Sequence, residues 1–270
     1  ALPEIDAVSL AVPSGLHGPL GIAAARAGKH VLTEKPLEVT TAKADELIAA
    51  CRAAGVRLGM ISQYRFHEGM RAIRDAAAAG RFGTLALGIA STKWYRGTEY
   101  FTGAGWRGTW AMDGGGSLMN QGIHAVDQLL SVLGPARRVM GYAATLLQRI
   151  ETEDATAGVI EFAGGALGVL ETGTCVYPGF AAKLEVMGDL GSVAWELGGG
   201  FRLWEFRDGG PPPELPRDAP WETYHARQFE DFANAIREDR DPLVDGVEGR
   251  RAVAVIEALY RSAREGAPVT

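Results

Sequence analysis

A chain of 270 residues leaves room for one large or two ordinary domains, and 47% hydrophobic against 22% charged residues is the balance of a globular protein with a full core. A formal charge of −6 argues against a nucleic-acid footprint, which needs a basic stripe. No apolar run approaches the roughly 20 residues of a membrane span and the opening Ala1-Leu2-Pro3-Glu4 carries no basic leader, so a cytoplasmic chain with no membrane partner is expected. Cys51 and Cys175 lie far apart and read as buried thiols of a reducing compartment, although sequence leaves one disulfide open. No metal site is expected.

Residues 5–12 read as a short, mostly buried strand ended by Pro13. A helix follows with Pro19 near its first turn and Gly28 as its stop. His30 to Thr33 is the second strand. Thr40 or Thr41 caps the next helix, whose Ala44, Leu47, Ile48 and Cys51 recur at i, i+3, i+4, i+7 before Gly55 closes it. Residues 56–62 supply a third strand. Strand, helix, strand, helix, strand with short links implies a parallel sheet with right-handed crossovers. A dinucleotide-binding fold normally opens with a glycine turn whose amides hold the pyrophosphate, and no such turn precedes residue 5. The expectation is the C-terminal half of a Rossmann-type nucleotide-binding domain over residues 1–64, lacking its first βαβαβ half.

Lys35 ends the second strand in Thr33-Glu34-Lys35-Pro36. Ligands of open α/β sheets collect at the carboxyl ends of strands, and a lysine there has its pKa and direction set by the fold. The Glu34-Lys35-Pro36 turn also reads as surface punctuation. A cis peptide at Pro36 is expected to hold the lysine in a tight turn.

After a helix over 67–79 the pattern changes to long alternating strands at 85–95, 138–148, 155–162, 166–176, 182–187, 192–196 and 201–206. Glycine turns such as Gly164-Gly165 imply antiparallel hairpins. Helices near 223–237 and 248–264 pack on that sheet or against the first domain, and Gly209-Gly210-Pro211-Pro212-Pro213 is a loop. The fold class is α/β plus α+β: a partial Rossmann-like sheet, then a domain at 65–270 with a large, mainly antiparallel sheet and helices on one face. Leu167, Val169, Leu184 and Val186 are expected to line the uncovered face and pair subunits into a homodimer or homotetramer.

Between the strands lies Gly114-Gly115-Gly116-Ser117. Ser117 is expected to cap a helix running to about Leu133. Met119, Ile123, Val126, Leu130 and Leu133 form its core stripe, with Asn120, His124, Asp127 and Ser131 one residue on. Three of six tryptophans, Trp94, Trp106 and Trp110, cluster with Tyr95, Tyr100 and Phe101. Beside Lys93, Arg96 and Arg107 they suit a pocket that stacks on sugar faces and binds hydroxyl or carboxylate groups.

Several segments carry a resemblance. They are Asp6-Ala7-Val8-Ser9, Pro13 and His17, Ala27-Gly28-Lys29-His30-Val31-Leu32 running into Glu34-Lys35-Pro36-Leu37, and Arg65-Phe66. Trp106-Arg107-Gly108-Thr109-Trp110 and Gly114-Gly115-Gly116 through His124 to Asp127 complete the set. Together they resemble the glucose–fructose oxidoreductase / inositol dehydrogenase / MocA (Gfo/Idh/MocA) family of nicotinamide-dependent oxidoreductases. Two departures stand out: the N-terminal glycine turn is not among these residues, and Asn120 stands where many members carry aspartate.

The resemblance implies hydride transfer between NAD or NADP and a secondary alcohol of a sugar, nucleotide sugar or polyol. It implies cofactor contacts from Val12, Pro13, Ser14, His17, Glu34, Lys35 and Gln63, and substrate contacts from Arg65, Trp94, Arg107, Asn120 and His124. His124 takes the general-base role, Asn120 hydrogen-bonds substrate or imidazole, and Lys35 stabilises the developing alkoxide. The resemblance equally allows Lys35 as proton carrier. Asp127 is read as orienting the His124 ring or a neighbouring backbone group. An NAD-dependent glycoside hydrolase of similar fold and a non-catalytic sugar sensor are the competing readings.

Overall fold

The structure is a computed structural model that describes residues 2–215 and 220–270. Its first sheet has three parallel strands in the order β1 (Ala7–Leu10), β2 (His30–Thr33) and β3 (Leu58–Met60). Helices α1 (His17–Arg26) and α2 (Thr41–Ala53) make the crossovers. Thr40 caps α2 by accepting the Lys43 amide at 3.3 Å, and Gly28 and Gly55 end the two helices at positive φ. The strands are shorter than the apolar runs suggest, because only their middles have a ladder partner.

A short helix α3 (Glu68–Ala78) leads into the second sheet. Its seven strands are β4 (Leu85–Lys93), β5 (Ala136–Ala144), β6 (Ala155–Phe162), β7 (Leu167–Gly173), β8 (Lys183–Gly188), β9 (Gly191–Glu196) and β10 (Gly200–Phe206). They lie in the order β10-β9-β8-β4-β7-β6-β5. Every pair is antiparallel except β4 with β7. Between β4 and β5 come α4 (Thr98–Thr102), a π-helical turn at Ser117–Gly122 and α5 (Ile123–Leu133). Helices α6 (Glu222–Arg237) and α7 (Gly246–Glu265) close the chain.

One face of the large sheet carries the main core. Leu118, Ile123, Val126 and Leu129 lie over Ala90, Ile160, Leu170, Leu184 and Val186, all buried. Gly88 makes this packing possible, since a Cβ there would sit 2.4 Å from a Leu133 methyl. The two C-terminal helices reach back to the first sheet. Phe232 of α6 packs on Leu32 and Ile61, and the outer edge of β3 is met by Val244, whose carbonyl accepts the Met60 amide at 3.0 Å. The Gln228 side chain completes the join, accepting the Ser62 amide at 2.8 Å and donating to the Met60 carbonyl at 2.7 Å.

Two expectations about faces and caps change. Leu184 and Val186 do not share a face with Leu167 and Val169. Leu184 and Leu170 both stand opposite Ala90 in the ladder, and Val186 and Gly168 both stand opposite Gly88. That register sends Leu184 and Val186 into the core at 0% exposure and leaves Leu167 57% exposed outside; side chains alternate faces along a strand, so register decides which set is buried. The helix at Ser117 begins as a π turn, and Ser117 is not its cap. Its hydroxyl lies 3.0 Å from that of Thr172, and the capping role falls to a residue thirty-six positions on, described below. Cys51 is buried, Cys175 half-buried, and both are free thiols.

Candidate active site

Residues just beyond the carboxyl ends of β2 and β3 line one cavity of about 380 Å³. Lys35, Gln63, Tyr64, Trp94, Arg96 and Tyr100 line it together with Asn120, Gln121, His124, Leu197 and Trp221. Larger cavities exist, one of about 580 Å³ beside Trp110 and Arg261 and one of about 710 Å³ beside Phe201 and Tyr224. Neither is lined by Lys35, Asn120 or His124. Chemistry rather than size therefore singles out the smaller one.

Lys35 follows β2 and lines this cavity, and the Lys35–Pro36 peptide after it is cis. His17 sits beneath that peptide, fully buried, with Nδ1 2.7 Å from the Pro36 carbonyl and Nε2 3.1 Å from that of Val12. Burial pulls the His17 pKa down, and a neutral ring has one N–H to donate. His17 thus braces the ends of β1 and β2. It does not itself open onto the cavity.

The Lys35 ammonium donates to the main-chain oxygen of Asn120 at 2.6 Å and to its side-chain oxygen at 3.1 Å. The Asn120 amide in turn donates to Asp113 at 2.6 Å, and Asp113 accepts the Gly108 amide at 2.9 Å. Burial lowers the Lys35 pKa, while Glu34 and Asp113 work in the opposite direction. The same burial raises the pKa of Asp113. Asn120 thus sits as a neutral link between a half-buried cation and a buried carboxyl group, where an aspartate would bring a second negative charge. The π turn that holds it bonds i→i+5 and is wider than an α turn, a form frequent at functional sites.

His124 follows one turn later, 7% exposed, its ring 4.8 Å from that of Tyr64. Burial first, then the charge of Lys35, brings its pKa down to about 3, against a smaller upward pull from Asp127. No hydrogen bond to its ring nitrogens occurs among the described residues. Asp127 does not orient this ring. It accepts the Ser62 hydroxyl at 2.6 Å and two donors of Arg65, at 2.9 Å and 2.6 Å.

Lys35, Gln63, Trp94, Asn120 and His124 therefore meet in one lining. Arg107 stands just behind it, its guanidinium 4.2 Å from the centre of the Tyr100 ring. Arg65 faces away, locked between Asp127 and Glu248. Val12, Pro13, Ser14 and Glu34 lie at the strand ends outside the lining.

The residues present fit the nicotinamide end of a dinucleotide. Gln63 Oε1 is buried and has no partner among the described residues, an acceptor suited to a carboxamide N–H. Unpartnered buried acceptors are costly and call for an explanation.

Sequence reasoning missed Tyr64, Gln121, Trp221, Asp113 and, above all, Glu153. The Glu153 carboxylate accepts the amides of Gly116 at 2.9 Å and Leu118 at 2.7 Å, and its own carbonyl accepts the Ser117 amide at 3.0 Å. It is the cap of the π turn that carries Asn120. Burial pushes its pKa up to about 7 in spite of those amides. Gly116 is required here, because a Cβ would lie 1.7 Å from the Glu153 carbonyl oxygen. In sequence, Glu151-Thr152-Glu153-Asp154 looks like a solvated acidic loop; only Gly114-Gly115-Gly116 hinted that something approaches closely.

Comparison with known proteins finds relatives along most of the chain. Residues 1–62 match the oxidoreductase family with the NAD-binding Rossmann fold, and residues 70–194 match the GFO/IDH/MocA C-terminal domain. D-xylose 1-dehydrogenase (NADP(+)) 2 of Haloferax volcanii is 32% identical over 98% of this chain and 80% of its own length. The 1,5-anhydro-D-fructose reductase of Ensifer adhaerens is 35% identical over 61% of this chain, a stretch that spans 49% of the relative. Among solved structures, the WlbA dehydrogenase of Bordetella pertussis in complex with NADH and UDP-GlcNAcA superposes with a TM-score of 0.88. It is 34% identical, covering 98% of this chain and 78% of that one. The chain belongs to the Gfo/Idh/MocA family of NAD(P)-dependent oxidoreductases. No helix among the described residues is long and apolar enough to cross a membrane.

Proposed function

We propose that this chain oxidises or reduces a secondary alcohol of a sugar, nucleotide sugar or polyol, with NAD or NADP as hydride partner. The observation that carries the reading is the convergence of Lys35 and His124, which are 89 positions apart in sequence (124 − 35), on one cavity beside the parallel-strand ends. A bound nicotinamide supplies the acceptor or donor of hydride; Lys35 and Gln63 would hold that end, with Pro13, Ser14 and Glu34 near the strand ends.

The protein's own part is the proton. His124 is buried and Lys35 half-buried beside it in the same lining, and like charges so placed disfavour one another. The pair holds one proton, and lysine's higher intrinsic pKa keeps it on Lys35. His124 is then a neutral base, its ring without a hydrogen-bond partner among the described residues, and can take the proton of a substrate hydroxyl. A developing alkoxide beside the ring favours its protonated form, offsetting the lowered pKa of His124. The Lys35 ammonium, fixed by the two oxygens of Asn120, stabilises the same negative charge. Asn120 positions the cation, and Trp94 offers an apolar face for a sugar ring.

The test is nicotinamide absorbance with a panel of sugars and polyols in the full chain. His124→Asn should lower kcat by ~10²–10⁴, the range of a lost general base. Because His124 stays neutral down to about 3, alcohol oxidation should show no break near the ordinary histidine value of 6.5. It should decline on the alkaline side as Lys35 loses its proton below the usual lysine pKa. A His124→Asn enzyme with wild-type kcat would refute the base assignment, and a break near 6.5 in wild type that is absent from His124→Asn would refute the lowered His124 pKa.

We also propose that the chain acts in the cytoplasm, with a division near residue 64 between the nucleotide-binding part and a substrate-binding and oligomerisation part. A second copy covers the open face of the large sheet. On that face Met140, Val159, Val169 and Ile89 stand in register across four strands. Tyr142, Val159 and Leu167 are 72%, 53% and 57% exposed, an apolar surface that favours pairing. Light scattering should find a dimer or tetramer, and Val159→Glu with Leu167→Glu should shift it to monomer; a wild-type monomer at micromolar concentration would overturn the pairing.

A further inference from the structure

The cavity wall contains two cations, Lys35 and Arg96, and no acid. Arg107 stands immediately behind it, close enough to affect the Lys35 pKa, as does Arg96. Arginines such as Arg57, Arg65, Arg81 and Arg250 pair with carboxylates; Arg96 and Arg107 do not, and Arg96 is the one arginine among the described residues that lines this cavity. Among the described residues neither Arg96 nor Arg107 has an acidic partner within ion-pair distance; each donates only to a carbonyl of its own loop, that of Tyr95 at 3.3 Å and that of Tyr100 at 3.4 Å. Arg96 Nε is in addition buried without any acceptor.

Arg96 is also held in place. Its guanidinium lies 5.2 Å from the centres of both the Trp94 and the Tyr100 rings, between two aromatic faces. Its backbone is pinned, the amide donating to Thr174 at 2.8 Å and the carbonyl accepting Gln148 Nε2 at 2.8 Å. Tyr100 is fixed in turn by Gln121 of the π turn, which donates to its hydroxyl at 3.1 Å. A fork of donors, stacked and oriented but without an acceptor, is built for an oxyanion. The buried carboxyl group behind the lining, Asp113, already accepts Asn120 and the Gly108 amide.

We infer that Arg96, supported by Arg107, is the specificity determinant of this cavity and selects a sugar carrying an oxyanion, a carboxylate or a phosphate, over a neutral sugar. The inference rests on the proposed sugar site but does not depend on turnover. The remaining donors of the wall, Gln121 and Trp94, are neutral and suit hydroxyls. With two cations in a partly closed cavity, the field attracts anions of either kind; the planar guanidinium decides how they are held.

Calorimetric binding of glucose, glucuronate, glucuronamide and glucose 6-phosphate to the full chain tests this. Glucuronate or glucose 6-phosphate should bind at least about tenfold more tightly than glucose, as expected for a charge-assisted bidentate contact. Glucuronamide, the neutral isostere, should bind like glucose. The better of the two anions identifies the group. In Arg96→Gln the anion-to-neutral ratio should fall to about one, and Arg96→Lys should recover part of it, since a point charge replaces a fork. Equal affinity for anionic and neutral sugars, no sugar binding at all, or a ratio unchanged in Arg96→Gln would each overturn the inference. Turnover of neutral sugars without anion preference sinks this inference alone. Arg96-dependent anion binding without any nicotinamide-linked turnover sinks the oxidoreductase reading instead.

Discussion

Lys35→Met should lower kcat for alcohol oxidation by ~10²–10³, the range measured when one preorganised charge stabiliser is removed from an active site. The side chain keeps its length and apolar stem but loses the ammonium that both oxygens of Asn120 accept. Thermal stability should hold or rise, because burial disfavours that charge. Lys35→Arg should fail to restore activity, since a planar fork does not match two oxygens that receive one tetrahedral nitrogen. A second consequence checks the pairing independently. The Lys35 charge is one of the causes that depress the His124 pKa, so in Lys35→Met the imidazole should titrate at higher pH than in wild type. NMR of the ring protons reads this directly. A Lys35→Met enzyme with wild-type kcat, or a His124 pKa unmoved by the substitution, would separate the two residues and dissolve the proposed site.

The largest stability effect should come from Asp127→Ala, at ~3–5 kcal/mol, the cost of breaking a buried ion pair by removing one partner. Arg65 and Asp127 have side chains only 5% and 2% exposed, 2.6 Å apart. Removing the carboxylate leaves the guanidinium with Glu248, at 2.8 Å, and leaves the Ser62 hydroxyl without its acceptor. These contacts join the end of β3 to α5, so the loss loosens the platform on which His124 is displayed. Urea unfolding measures the change. Arg65→Met combined with Asp127→Leu should recover most of the stability, because an apolar pair of similar volume carries no desolvation cost. A single-variant loss below about 1 kcal/mol would place the pair among surface-like bridges.

The local elements needed little beyond the chain itself. Apolar runs closed by Pro13 and Pro36 marked strand ends, the i, i+3, i+4 recurrence of Ala44, Leu47 and Ile48 marked α2, and Gly28 and Gly55 marked the helix stops. Each of these signals acts within a few residues, so sequence carries it. Lys35 and His124 were singled out because an ionisable residue at a strand end and an imidazole behind three glycines are locally unusual.

What the chain alone did not determine depends on partners distant in sequence. Leu167 and Leu184 are indistinguishable as alternating strand residues; the ladder positions opposite Gly88 and Ala90 send one outward and the other into the core. Arg65 follows β3 as a ligand-binding arginine would, yet Asp127, 62 positions away, claims its donors. Glu153 reads as a solvated acid and is instead the buried cap of the π turn. Charge, register and capping are settled by which group arrives opposite, and that is a property of the tertiary fold.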